Sequence, residues 1–139
     1  MIKSIWQGNK TFTAQSKFGH DIISDAPVAS GGDDNGPSPV ELMLSGLAGC
    51  TGIDVTNIMK ERLADVTKFE ITVDDEREDT TSRAVKNVTL TFDVEGEVDL
   101  KKLKRAISLS VEKYCTVAHS LKASIDPKLF YNGTEKNFK

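Results

Sequence analysis

Hydrophobic residues along this chain recur with two different periods, and the change from one to the other marks out its elements. Phe69, Ile71 and Val73, and later Val88, Leu90, Phe92 and Val94, alternate with polar residues such as Thr89, Thr91, Asp93 and Glu95, the period of a half-buried strand. The two runs predict a hairpin with one wet face. The charged stretch between them, Asp74 to Asn87, reads as its solvated extension. Three shorter runs near the start, Ile2 to Gln7, Lys10 to Ser16 and Phe18 to Ser24, are divided by turn signals at Gly8-Asn9 and Lys17 and predict a three-stranded antiparallel meander. Further on, Leu100, Leu103, Ile107, Val111 and Tyr114 follow helical spacing behind Asp99, a good cap residue. Cys115, four residues past Val111, is expected to share the buried face of that helix. A last helical turn through His119 and a strand from Lys122 to Tyr131 complete the pattern.

Between the meander and the hairpin lies the most informative segment. A turn-rich stretch, Asp25 to Pro37, ends at Ser38-Pro39, with serine placed to cap a helix, proline at its first position and Glu41 at its third. The predicted helix runs to about Leu63. From Pro39 to Ile53 its only polar side chains are Glu41, Ser45 and Thr51, so it is expected to be buried nearly all round. It also holds Gly46, Gly49 and Gly52, each costing roughly 1 kcal/mol against alanine in a helix. Ser45, Gly49, Gly52 and Thr56 fall within about 60° of one another on the helical wheel. A stripe without bulk invites another backbone, either a copy of the same helix across a two-fold axis or the second helix of the same chain. The first option predicts a homodimer.

Length and charge narrow the reading further. The chain has 139 residues and 38% hydrophobic content, enough for one domain over 1–139 and too few for two ordinary ones. Its 18 basic and 21 acidic residues are scattered, giving a formal net charge of -3 and no basic stripe, so nucleic acid is not an expected partner. No run reaches the ~18 uninterrupted apolar residues of a membrane span, and the expected location is the cytoplasm. In that reducing compartment the only two cysteines, Cys50 and Cys115, are inert core residues, metal ligands or thiols that cycle.

Two segments carry a family resemblance. Gly36-Pro37-Ser38-Pro39-Val40-Glu41-Leu42-Met43-Leu44-Ser45-Gly46-Leu47-Ala48-Gly49-Cys50-Thr51-Gly52-Ile53-Asp54-Val55 and Ser110-Val111-Glu112-Lys113-Tyr114-Cys115-Thr116-Val117-Ala118 resemble the osmotically inducible protein C and organic hydroperoxide resistance (OsmC-like) family. The resemblance implies an α+β fold with antiparallel sheets around long central helices, intertwined as a homodimer. It also implies a peroxidase cycle without a bound cofactor. Cys50 would be the peroxidatic thiolate and Cys115 the resolving thiol, with an organic hydroperoxide or hydrogen peroxide as substrate and an external dithiol as reductant. The alternative from a different class is a non-catalytic binding module whose apolar dimer groove holds a small molecule.

The match to the family's hydroperoxide-reducing branch is incomplete, and the chain sits closer to its uncharacterised OsmC-like branch. That branch of reducers pairs the thiolate with an arginine in the N-terminal sheet and a glutamate ten residues before the cysteine. Here Val40 stands at that position, Glu41 follows it, and the arginines are Arg62, Arg77, Arg83 and Arg105. A thiolate in apolar surroundings needs a positive group nearby, and Lys17 or His20 are the candidates. Glu41 lies nine residues from Cys50, about 13.5 Å along a helix and on its far side. It is expected either to act from the sister subunit or simply to close a capping box with Ser38. A zinc site assembled from His20, Cys50, Cys115 and His119 lacks the paired-ligand spacing of structural zinc motifs, and no metal is expected.

Overall fold

In the computed structural model, which describes residues 1–139, the chain divides into two compact units, Met1–Ser45 and Gly46–Lys139. The first unit is the expected meander: β1 (Lys3–Trp6), β2 (Phe12–Gln15) and β3 (Asp21–Ser24) pair antiparallel in that order. The second turn is closed by Ser16, whose backbone N–H donates to the His20 carbonyl at 2.8 Å and whose hydroxyl accepts from the His20 N–H. The third strand therefore begins at Asp21 and not at Phe18.

Asp25 organises the turn-rich stretch that follows. Its buried carboxylate accepts from the Thr11 hydroxyl at 2.7 Å and from the backbone N–H groups of Ala26 and Asn35. These donors, the Thr11 hydroxyl foremost, hold its carboxyl below the ordinary range. Gly32 is forced by close approach, since a Cβ there would collide with the Ala26 carbonyl.

Helix α1 (Pro39–Met59) crosses from the first unit into the second and continues as a 3₁₀ segment, Lys60–Leu63, so its predicted extent is observed. Its start is a capping box: the Ser38 N–H donates to Glu41 Oε1 at 3.1 Å and the Glu41 N–H donates to Ser38 Oγ at 3.3 Å. The expectation of burial all round does not hold within one chain. Leu44, Leu47, Thr51, Val55 and Met59 are buried on one face, while Ser45, Gly46, Gly49, Ile53 and Thr56 are exposed on the other. By length and composition the 25-residue stretch Pro39–Leu63 could also cross a membrane, with a mean hydropathy of 1.2 over its best window. Here its apolar side serves a protein core.

That core belongs to the second unit. Strands β4 (Val66–Arg77) and β5 (Val85–Gly96) form the predicted hairpin, and their pairing extends through the charged ends to Arg77↔Val85. The chain then crosses over through α2 (Leu100–Leu109) and a short α3 (Thr116–Ser120) to β6 (Ser124–Tyr131), which pairs parallel to β5. A parallel pair requires such a crossover. A further strand, β7 (Thr134–Lys136), turns back on β6 through Asn132 and Gly133, both at positive φ, and was not anticipated. Leu47, Val55 and Met59 of α1, Val88, Leu90, Phe92 and Val94 of β5, Leu103 and Ile107 of α2, and Leu129 of β6 are all buried. The architecture is α+β, two sheets with two long helices, and the second sheet is antiparallel except for the β5–β6 pair.

Candidate functional site

Cys50 lies on α1, and its position there follows from the helix's buried stripe. Leu47 and Thr51 on either side of it are fully buried, and Cys50 sits at the edge of that stripe, half-buried. Thr51 settles its hydroxyl inside the helix by donating to the Leu47 and Ala48 carbonyls at 3.1 Å each, so it is not a partner for the sulfur.

Cys115 reaches the same place by a route the periodicity did not predict. Helix α2 ends at Leu109, and Ser110–Tyr114 continue as a wider π turn, closed by the Cys115 N–H donating to the Ser110 carbonyl at 2.8 Å. Cys115 itself is extended, at φ -71° and ψ 107°, and caps α3. It is fully buried, as expected, but as the cap of a new helix and not as the last member of the old one. Its sulfur accepts from the Ala118 N–H at 3.3 Å.

The two sulfurs and a carboxylate oxygen of Asp54 all lie within 4.8 Å of one another. Both cysteines are free thiols. Burial pushes the Cys115 thiol up from 9.0 to about 11, with the Ala118 N–H pulling it down and the neighbouring Cys50 adding to the rise. Asp54 is held in place by Ser110, a fully buried residue whose hydroxyl donates to Asp54 Oδ2 at 2.8 Å. Beside this cluster a cavity of ≈ 380 Å³ is lined by Asp54, Asn57, Ile58 and Tyr114. The arrangement can form a disulfide after a modest side-chain movement and can hold a soft cation.

Asp54 and Ser110 were not singled out from the sequence. The apolar stretch of α1 from Pro39 to Ile53 ends one residue short of Asp54, although its spacing of four from Cys50 puts both on one helical face. Ser110 carried no signal, because its role depends on a π turn. The other anticipated groups are engaged or exposed. Glu41 is engaged in the capping box, and His119 is exposed on α3, outside the sulfur cluster. His20 is exposed in a hairpin turn, and Lys17 stands over the Phe18 ring at 5.4 Å from its centre.

Comparison with known proteins gives the chain its relatives. The family model for OsmC-like proteins matches residues 31–130, a span that includes both cysteines. Protein YhfA of Escherichia coli is 36% identical over 123 residues, covering 87% of this chain and 88% of that one. Among solved structures, a protein of Psychrobacter arcticus described as responding to osmotic stress and in detoxification superposes with a TM-score of 0.78 at 24% identity, over 94% of this chain and 93% of its own. The organic hydroperoxide resistance protein OhrB of Bacillus subtilis shares the fold more distantly, with a TM-score of 0.58 at 21% identity over 94% and 97% of the two chains. With the α+β fold, the close cysteine pair and the family match converging on one stretch of sequence, the chain belongs to the OsmC-like family.

Proposed function

We propose that this protein is a cysteine-based peroxidase that reduces organic hydroperoxides, with Cys50 as the attacking thiolate and Cys115 as the resolving thiol. The observation that carries this reading is the approach of two free thiols from separate elements, Cys50 on α1 and Cys115 at the start of α3, to within 4.8 Å. Exposure supports the order of events, because Cys50 is half-buried while Cys115 is fully buried. A peroxide reaching the pair meets Cys50 first. Its thiolate attacks one oxygen of the O–O bond, an alcohol leaves after taking up a proton, and a sulfenic acid remains. Cys115 then attacks that sulfur, the S–S bond forms, and water departs. A dithiol from outside returns both thiols by exchange.

The working unit in this proposal is a homodimer of single-domain chains in the cytoplasm. The support is a set of large apolar side chains that one chain leaves bare. In the first unit these include Ile2 at 61%, Trp6 at 63% and Phe18 at 81% exposure, and in the second Ile53 at 62%. Gly46 and Gly49 point the same way, since a Cβ at either would meet nothing within 4 Å of its own chain. Gly52 alone is lined, by the Ile71 side chain of β4 at 3.3 Å and not by the second helix.

The test is thiol accounting. Reduced protein given one equivalent of an alkyl hydroperoxide should lose both free thiols per chain and form an internal disulfide. Cys50→Ser should remain folded and lose essentially all turnover, since an unassisted serine hydroxyl is a far weaker nucleophile. Cys115→Ser should stop at a sulfenic acid on Cys50, seen by mass spectrometry as one added oxygen. Thiols that persist while the peroxide survives would favour the binding-module reading instead.

A further inference from the structure

We propose that the reduced site binds a soft divalent cation such as zinc through Cys50 Sγ, Cys115 Sγ and the Asp54 carboxylate, and that this ion must leave before the pair can be oxidised. The three donor atoms lie within 4.8 Å of one another. A tetrahedral zinc with Zn–S of about 2.3 Å and Zn–O of about 2.0–2.2 Å sets two sulfurs roughly 3.8 Å apart and sulfur from oxygen roughly 3.5 Å. An adjustment on the order of 1 Å closes the triangle, within the reach of side-chain rotation. Cys50 and Asp54 are four residues apart on α1, the spacing by which a helix presents two ligands to one ion.

Two further contacts resemble the outer support of metal sites. Ser110 donates to Asp54 Oδ2 at 2.8 Å, which orients the carboxylate and leaves its other oxygen free. The Ala118 N–H donates to Cys115 Sγ at 3.3 Å, which orients the sulfur. Two thiolates and one carboxylate form a soft, anionic set suited to zinc and poorly suited to magnesium or calcium. No metal is expected from the sequence, and the donor that allows one here is an aspartate one helical turn from Cys50.

The inference rests on the peroxidase reading only for its consequence. Zinc entry releases up to two thiol protons to solvent. While the ion is bound both thiolates are held by it; once it has dissociated, an alkyl hydroperoxide takes two electrons from the two thiolates: the O–O bond breaks, the S–S bond forms, and two protons from solvent complete one alcohol and one water. The disulfide offers no thiolate, so the ion does not rebind until the pair is reduced again.

Equilibrium dialysis of reduced protein against zinc ions tests the binding, with cobalt as a spectroscopic substitute that shows thiolate-to-metal charge transfer. The expected result is one ion per chain in reduced protein and none after oxidation to the disulfide. Asp54→Asn should bind about 10- to 100-fold more weakly, and Cys115→Ser at least as weakly. Should a variant fail to fold, protection of wild-type Cys50 from alkylation by added zinc reads the same contact. No uptake, uptake unchanged in folded Asp54→Asn, or no protection of Cys50 overturns the site. Thiol loss to peroxide at the same rate with and without bound zinc overturns the gating. Metal-free reduced protein run in parallel separates the two ideas, since its inertness to peroxide would sink the peroxidase reading and the gating with it, independently of the ion count.

Discussion

The chemistry of the site turns on how differently two sulfurs are housed. Cys115 is completely buried and its thiol is pushed up to about 11 by burial, whereas Cys50 stands half-open. In the proposed cycle Cys115 is therefore almost wholly protonated at neutral pH when it attacks the sulfenic acid. Oxidation of Cys50 removes the neighbouring sulfur's share of that shift, but burial, its largest cause, remains. The disulfide-closing step should accelerate with pH by about tenfold per unit well above neutrality, as the thiolate fraction rises. Rapid-mixing measurements of disulfide formation from preformed sulfenic acid check this, and a rate flat from pH 7 to 10 would place the resolving thiol elsewhere. The same shift acts on folding. A folded-state value above 9.0 favours the fold only until the unfolded thiol ionises, so reduced protein should lose stability as pH rises from 9.0 towards about 11.

At the scale of elements, the capping box shows how a motif reads correctly for structure while its further role stays a separate question. Ser38 and Glu41 cap each other, and hydrogen bonds from the Ser38 backbone N–H and then its hydroxyl hold the Glu41 carboxyl below 4.5. Ser38→Ala should cost about 1 kcal/mol of stability. The Glu41 contribution is present above pH 4.5 and is lost as pH falls through its lowered folded value, so the first turn of α1 should fray in acid, as amide exchange would report. If Glu41 also serves the partner subunit's sulfur, a mixed dimer of Cys50→Ser and Glu41→Gln chains should regain roughly half of wild-type turnover, because one of its two sites is intact. A Glu41→Gln homodimer with full activity reduces the glutamate to a cap.

The elements themselves were largely legible because α1, the meander and the β4–β5 hairpin each announce one period and one set of turn residues. What escaped was set by non-local structure. The π turn at Ser110–Tyr114 has no signature in the spacing of Leu103, Ile107 and Val111, and it alone takes Cys115 off α2. Asp54 gives no signal of its own in the sequence, because its partner Ser110 lies 56 positions away. The β6–β7 turn did carry its Asn132-Gly133 signal, but β7 itself is only three residues long.

For the whole molecule, the proposed dimer turns on the exposed face of α1. Gly46 and Gly49 forgo roughly 1 kcal/mol each of helix propensity with no contact of their own chain in return. Gly49→Ala separates two outcomes of opposite sign. In an isolated chain the added methyl enters open space and should stabilise by about 1 kcal/mol. In the proposed dimer it should press against the second copy and weaken association, seen as a shift towards monomer in sedimentation velocity. A variant that dimerises as wild type and melts higher would remove the glycine stripe from the interface.

The π turn also carries a consequence for changes in chain length. Glu112 and Lys113 are exposed, so substitutions there should pass unnoticed. Deleting either one is another matter: losing a single residue lets the segment rewind at 3.6 residues per turn and swings Cys115 about 100° around the axis. The surface of this turn is thus free in composition but fixed in count. A Lys113 deletion should leave the core strands protected against amide exchange yet yield no Cys50–Cys115 crosslink under a thiol oxidant, while Lys113→Ala crosslinks normally. Equal crosslinking by both would mean that α3 can re-register, and that the count of residues, like their identity, is free to drift.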